Sequence, residues 1–130
     1  VTLSLASSGD AVNLVRWPVG ELGGLRQHTD TVDHPIVDRG KPLQASTRAK
    51  LFDVSFTVTR REAKALYLTV RGQSLILDWL EGELKFAPSG IPKVAGERQK
   101  VTLPQGEKLS VRLLVDTTSI EVFLNHGQVS

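Results

Sequence analysis

Apolar and polar residues alternate with a period of two over much of this chain, and most regularly near its C-terminal end. Residues 109–116 and 119–124 are β-branched or apolar at the density of strands, with turn formers at their borders. Taking Thr117-Thr118 as a turn pairs Asp116 with Ser119, sets Leu114 opposite Glu121, and sets Arg112 opposite Phe123. One face of the resulting hairpin then carries Val111, Leu113, Val115, Ile120, Val122 and Leu124, is wholly apolar, and belongs in a core. The other carries Arg112, Asp116, Ser119 and Glu121, where polar chemistry has room. Thr-Thr is not a favoured two-residue hairpin turn, so the register is an expectation to be tested.

The same period recurs upstream. Residues 1–5 and 11–17 read as strands around a turn at Ser7-Ser8-Gly9-Asp10, the second stopped by Pro18. Residues 19–26 suit a short helical turn or an irregular connection, and 27–47, polar with Asp, His and Pro, are mostly loop. Residues 50–59 give the cleanest half-buried strand, with Phe52, Val54, Phe56 and Val58 against Asp53, Ser55 and Thr57. Residues 64–71 oppose Leu66, Leu68 and Val70 to Ala65, Tyr67 and Thr69. Gly72-Gln73 would turn the chain into a strand at 74–80, and Glu81-Gly82 into one at 83–86. Residues 87–100 hold Pro88, Gly90, Pro92 and Gly96 and read as loop, after which 101–103 approach the final hairpin. The sum is about ten short strands with regular turn signals, an all-β pattern that predicts a two-sheet antiparallel β-sandwich of the jelly-roll or concanavalin-like kind.

Composition narrows the function classes. A chain of 130 residues is one domain by length. Sixteen basic against fourteen acidic residues leave a net charge of +2, with no basic stripe to suggest nucleic acid. No apolar run approaches the ~20 residues of a membrane span. The absence of Cys removes disulfides and thiolate chemistry but leaves the compartment open, with an extracellular setting preferred. The chain has no Met and begins at Val1, which reads as a processed end or a piece of a longer protein. His28, Asp30, Asp33 and His34 form the one dense group of possible metal ligands. A solvated loop explains them more simply, so neither metal nor cofactor is expected. The serines lack a nucleophile-elbow context, and Gly23-Gly24 does not join a strand to a helix as a phosphate cradle would.

Two stretches carry a family resemblance. Leu114-Val115-Asp116 followed by Ile120-Glu121-Val122-Phe123-Leu124-Asn125 resembles the signature near the end of the C-terminal β-sandwich of glycoside hydrolase family 32, which includes invertases, inulinases and levanases. Residues 14–26, with Pro18-Val19, Glu21-Leu22 and Leu25-Arg26, resemble the segment leading from that family's catalytic propeller into the sandwich. Ser89-Gly90 is kept in the middle of the chain, but the Asp-Arg that often precedes it is absent, and the family's last strands do not follow Asn125-His126-Gly127. The resemblance therefore implies either a sandwich truncated at its C-terminal end or one whose tail is not part of this chain, and an unpaired edge beside the final hairpin would be an aggregation risk.

Fructoside hydrolysis of the retaining kind needs two carboxylates. The resemblance locates them in the propeller, in Asn-Asp-Pro-Asn, Arg-Asp-Pro and Glu-Cys motifs that do not occur here. It therefore implies a non-catalytic module of a β-fructosidase whose partner is the propeller of the same parent chain, which it would stabilise while shaping a substrate-side or oligomer surface. The rival reading is an independent module binding fructose units of levan or inulin, and a third is an unrelated lectin-like sandwich. For sugar binding the candidates are Arg112, Asp116 and Glu121, with Trp79 and Tyr67 as aromatic surfaces. A blander account makes Arg112 and Glu121 an ordinary diagonal ion pair. Trp17, beside the junction, reads as a core or interface residue.

Overall fold

Nine strands carry the alternation in the computed structural model, which describes residues 1–8, 10–33, 35–44, 49–88 and 101–130. They are β1 (Thr2–Ser8), β2 (Ala11–Trp17), β3 (Phe52–Thr59), β4 (Ala65–Val70), β5 (Gln73–Asp78), β6 (Glu83–Pro88), β7 (Val101–Thr102), β8 (Lys108–Val115) and β9 (Ile120–Leu124). Short 3-10 turns occupy Gly20–Leu25 and Asn125–Gly127. The strands form three antiparallel sheets, β1-β2, β3-β8-β9 and β4-β5-β6-β7.

The last two sheets pack face to face, as an all-β sandwich requires. Leu75, Leu77 and Leu84 from the four-stranded sheet meet Leu109, Val111, Leu113, Val115, Val122 and Leu124 from the three-stranded one in a single buried cluster. Each such side chain contributes roughly 1.5–3 kcal/mol on leaving water. Phe52, Phe56 and Val58 of β3 close the cluster from the side expected of them.

The β8–β9 register is the one expected, with Leu114 opposite Glu121 and Arg112 opposite Phe123, and the Asp116 amide donates to the Ser119 carbonyl at 2.9 Å. The β4–β5 turn sits one residue earlier than expected. Val70 pairs with Gln73, so the turn residues are Arg71 and Gly72, both in the left-handed region at φ 51° and 75°. Two such residues match the twist of a hairpin, and the strand pairing holds arginine in a conformation that more often selects asparagine or glycine. Among the described residues of 27–43 the strand pairing is limited to an isolated bridge between Asp38 and Lys41, and most of the expected 87–100 loop lies outside the described residues.

The β1–β2 hairpin makes a third layer. Thr2 pairs with Trp17 and Ser8 with Ala11. One face turns toward the sandwich, where Val15 is buried. The other shows Leu3, Leu5, Val12 and Leu14 to solvent, each at least 61% exposed. Among the described residues no helix is long and apolar enough to cross a membrane.

Candidate functional site

Phe123 shows why the outer face of the three-stranded sheet is not simply a polar surface. Strand parity places it opposite Arg112, away from the central core, yet it is 1% exposed. The third layer covers it: the Trp17 ring meets Phe123 edge-on, with centroids 5.9 Å apart. On the same ring, the Arg112 guanidinium lies 5.3 Å from the centroid, and the His126 ring approaches to 5.3 Å. Trp17 is therefore the hinge pin between hairpin and sandwich, in keeping with its reading as a core or interface residue.

The backbone after β9 makes this approach possible. Asn125, His126 and Gly127 are successively left-handed, at φ 44°, 57° and 89°. Asn125 suits this conformation, and its Oδ1 accepts the Ser110 amide at 3.1 Å. The chain then folds back, with the Leu124 amide donating to the Val129 carbonyl at 2.8 Å. Gly127 rests against the backbone of Arg16 in β2, where any Cβ would overlap the Arg16 carbonyl.

Beside Trp17 lies a polar constellation built around Asp53. Arg112 of β8 donates Nε and Nη2 to the two oxygens of Asp53 in β3, at 3.0 and 2.9 Å. Arg26, just past the 3-10 turn at Gly20–Leu25, donates Nη2 to Asp53 Oδ2 at 2.5 Å. The Arg112 and Asp53 side chains are only 12% and 14% exposed, while Arg26 is 46% exposed. Burial alone would raise the Asp53 carboxyl. Hydrogen bonds from Arg112 and Arg26, together with the charge of both guanidiniums, outweigh it and hold the group below its ordinary value. The pair Arg112–Glu121 weighed from the sequence does not form: Arg112 is committed to Asp53, a residue that strand pairing brings from far along the chain.

An open cleft of about 650 Å³ lies over this clamp, between hairpin, 3-10 turn and sheet. Arg26, Arg112, His126, Trp17, Thr2 and Ser4 line it.

The sugar-binding candidates named from the sequence occupy several different places, and only Arg112 lies in the cleft. Asp116 caps the β8–β9 turn, its Oδ1 accepting from the Thr117 amide and hydroxyl, and its carbonyl accepts from Arg71 Nη1 at 2.8 Å. Glu121 is exposed beside a separate groove of about 240 Å³, lined by Phe86, Ile120 and Val122. Trp79 packs against the central core. Tyr67 stands out from the four-stranded sheet, 70% exposed, on a face where Ile76 pairs with it and with Lys85. There Lys85 Nζ bonds Asp78 Oδ2 at 2.7 Å and Glu81 Oε2 at 2.8 Å. The Lys85 hydrogen bond chiefly, followed by the Glu81 amide, lowers the Asp78 pKa, and the bonds to Asp78 and Glu81 raise that of Lys85. On the exposed loop His28 Nε2 lies 3.0 Å from Asp30 Oδ1. His34 lies outside the described residues, and among those described no three potential ligands gather around a metal position.

Sequence reasoning missed Asp53, Arg26 and His126 as members of one site. Asp53 was visible on the polar side of its strand, but nothing local names its partner.

Comparison with known proteins supports the family resemblance. Residues 81–130 match the family model described as glycosyl hydrolases family 32 C terminal. The chain is also similar to sucrose-6-phosphate hydrolase of Escherichia coli, 26% identical over 138 aligned residues that take in 98% of this chain and 27% of that protein. The chain thus spans about a quarter of the length of this relative. No solved structure matches it significantly.

Proposed function

We propose that this chain is the C-terminal sandwich module of a family 32 β-fructosidase acting on sucrose, a phosphorylated sucrose or a fructan. In this reading it performs no catalysis itself and stabilises the catalytic propeller of its parent protein. The match of residues 81–130 to the family's C-terminal model carries the proposal. The described residues add a second support, the apolar face of Leu3, Leu5, Val12 and Leu14 on the β1–β2 hairpin. Four large aliphatic side chains side by side in water are the mark of a covered surface. The sequence-similar relative is about four times as long as the aligned region, so it has other parts against which the equivalent face can pack.

The residues around Trp17 have a clear task in this reading. Arg26 ties the connection after the hairpin to Asp53, Trp17 pins the hairpin to β9, and Gly127 lets the two backbones touch. The clamp fixes the angle at which the hairpin leaves the sandwich, and with it the direction in which the apolar face looks.

The test combines turnover and association. The chain is assayed with sucrose and sucrose 6-phosphate, and then mixed with the separately expressed catalytic domain of its parent. No turnover by the chain alone is expected, together with a stable complex on size-exclusion chromatography that Leu5→Glu combined with Leu14→Glu weakens. Hydrolysis by the isolated chain, or failure of the two folded parts to associate, would refute the proposal.

A further inference from the structure

We infer that the cleft over the Asp53 clamp is a binding site for a phosphorylated sugar. Charge balance points to an anion. Two guanidiniums, Arg26 and Arg112, face one carboxylate, Asp53, which leaves a surplus of one positive charge. A guanidinium has five N–H donors. Arg112 uses its Nε and Nη2 on Asp53, leaving Nη1, and Arg26 uses Nη2, leaving Nε and Nη1. Both arginines line the cleft. Arginine groups already oriented by a carboxylate meet a phosphate with little further loss of side-chain freedom.

The size and the rest of the lining point to more than a bare anion. The cleft, at about 650 Å³, falls within the range of roughly 300–1,000 Å³ usual for small-molecule sites. The hydroxyl residues Thr2 and Ser4, the His126 ring and the Trp17 indole supply the mixture of polar and apolar groups that a sugar presents in turn. Gly20 and Gly23 form part of the rim, and a Cβ at either would meet nothing within 4 Å. Neither sits at a positive φ, so a larger side chain is tolerated there and narrows the opening.

The inference rests on the fructosidase reading only for the choice of sugar, and the association assay above is unaffected by its failure. Isothermal titration of the chain with fructose 6-phosphate, inorganic phosphate and fructose tests it. One saturable site for fructose 6-phosphate is expected, with inorganic phosphate competing at least tenfold more weakly and fructose giving no heat. Arg26→Gln, which leaves the Arg112–Asp53 pair intact, should weaken binding tenfold or more, and Gly23→Phe should do the same without touching any charge. Circular dichroism of each variant establishes that it is folded. Lack of fructose 6-phosphate binding by the wild-type chain overturns the inference, as does wild-type affinity in both folded variants. Equal affinity for inorganic phosphate overturns the sugar, and equal affinity for fructose overturns the anion.

Discussion

Replacing Gly127 by alanine is expected to separate the hairpin from the sandwich. Two costs combine at this position. The residue sits at φ 89°, where a non-glycine residue costs about 1–2 kcal/mol. The added Cβ would also overlap the Arg16 carbonyl and lie 3.1 Å from the Val15 side chain, and neither neighbour is a flexible chain end that can swing away. Gly82 supplies the control: it lies at φ 69°, but a Cβ there meets nothing within 4 Å. Gly82→Ala should therefore cost only the backbone part, roughly 1–2 kcal/mol, and Gly127→Ala about 2 kcal/mol more, in the range of overpacking. With a urea slope of roughly 2 kcal/mol per M, the excess corresponds to a midpoint about 1 M lower. The assay is urea unfolding followed by tryptophan fluorescence in a Trp79→Phe background, so that Trp17 alone reports. Gly127→Ala should also shift Trp17 emission to the red before the sandwich unfolds. Equal midpoints for the two alanine variants would refute the claim that close backbone approach selects glycine at 127.

Three further outcomes follow from the same structure. Asp53→Asn should cost roughly 2 kcal/mol in urea unfolding, less than for a fully buried pair because Arg26 remains half in water. Because the folded pKa of Asp53 is depressed, its stabilising effect is complete above the unfolded value near 4 and disappears as pH falls through the folded one. Asp53→Asn should accordingly flatten the acid limb of the stability profile, with the part due to Asp78 remaining; an unchanged acid limb would contradict the assignment. Arg71→Asn should destabilise the chain by about 1 kcal/mol or more in urea unfolding even though asparagine suits the left-handed turn. The arginine side chain donates to the carbonyls of Lys50 and Asp116 and lies over the Phe52 ring, so a stabilised variant would show that those contacts contribute nothing. Leu5→Lys should leave the unfolding free energy of the isolated chain within about 0.5 kcal/mol and reduce binding of a hydrophobic dye.

Local pairings were legible in the sequence and distant ones were not. The β8–β9 hairpin could be read residue by residue because two alternating runs and a two-residue gap leave one register that buries six apolar side chains together. Arg71-Gly72 was displaced by one position because turn preference favours starting on glycine, whereas strand pairing placed arginine first. Phe123 was legible as the partner of Arg112, but its burial was not, since the cover comes from Trp17 across nearly the whole chain. The clamp is hidden for the same reason. An aspartate on the polar side of one strand and an arginine on that of another meet only once β3 pairs with β8, and no periodicity identifies which strands are neighbours.

That pairing also sets the order in which the chain can close. Thr59 of β3 lies opposite Lys108 of β8, so joining these two strands encloses residues 60–107, the entire four-stranded sheet, in one loop. Strands β4, β5 and β6 are near neighbours in sequence and zip by short turns, while β3 and β8 must find each other across the whole enclosed segment. Folding the enclosed sheet first shortens the effective loop, and the closure penalty falls by about 0.6 kcal/mol for each halving of its length. The β4–β5–β6 meander thus acts as a scaffold for the search. The Asp53–Arg112 pair, formed only when that search ends, acts as a latch on the finished topology, resisting reopening more than it hastens closure.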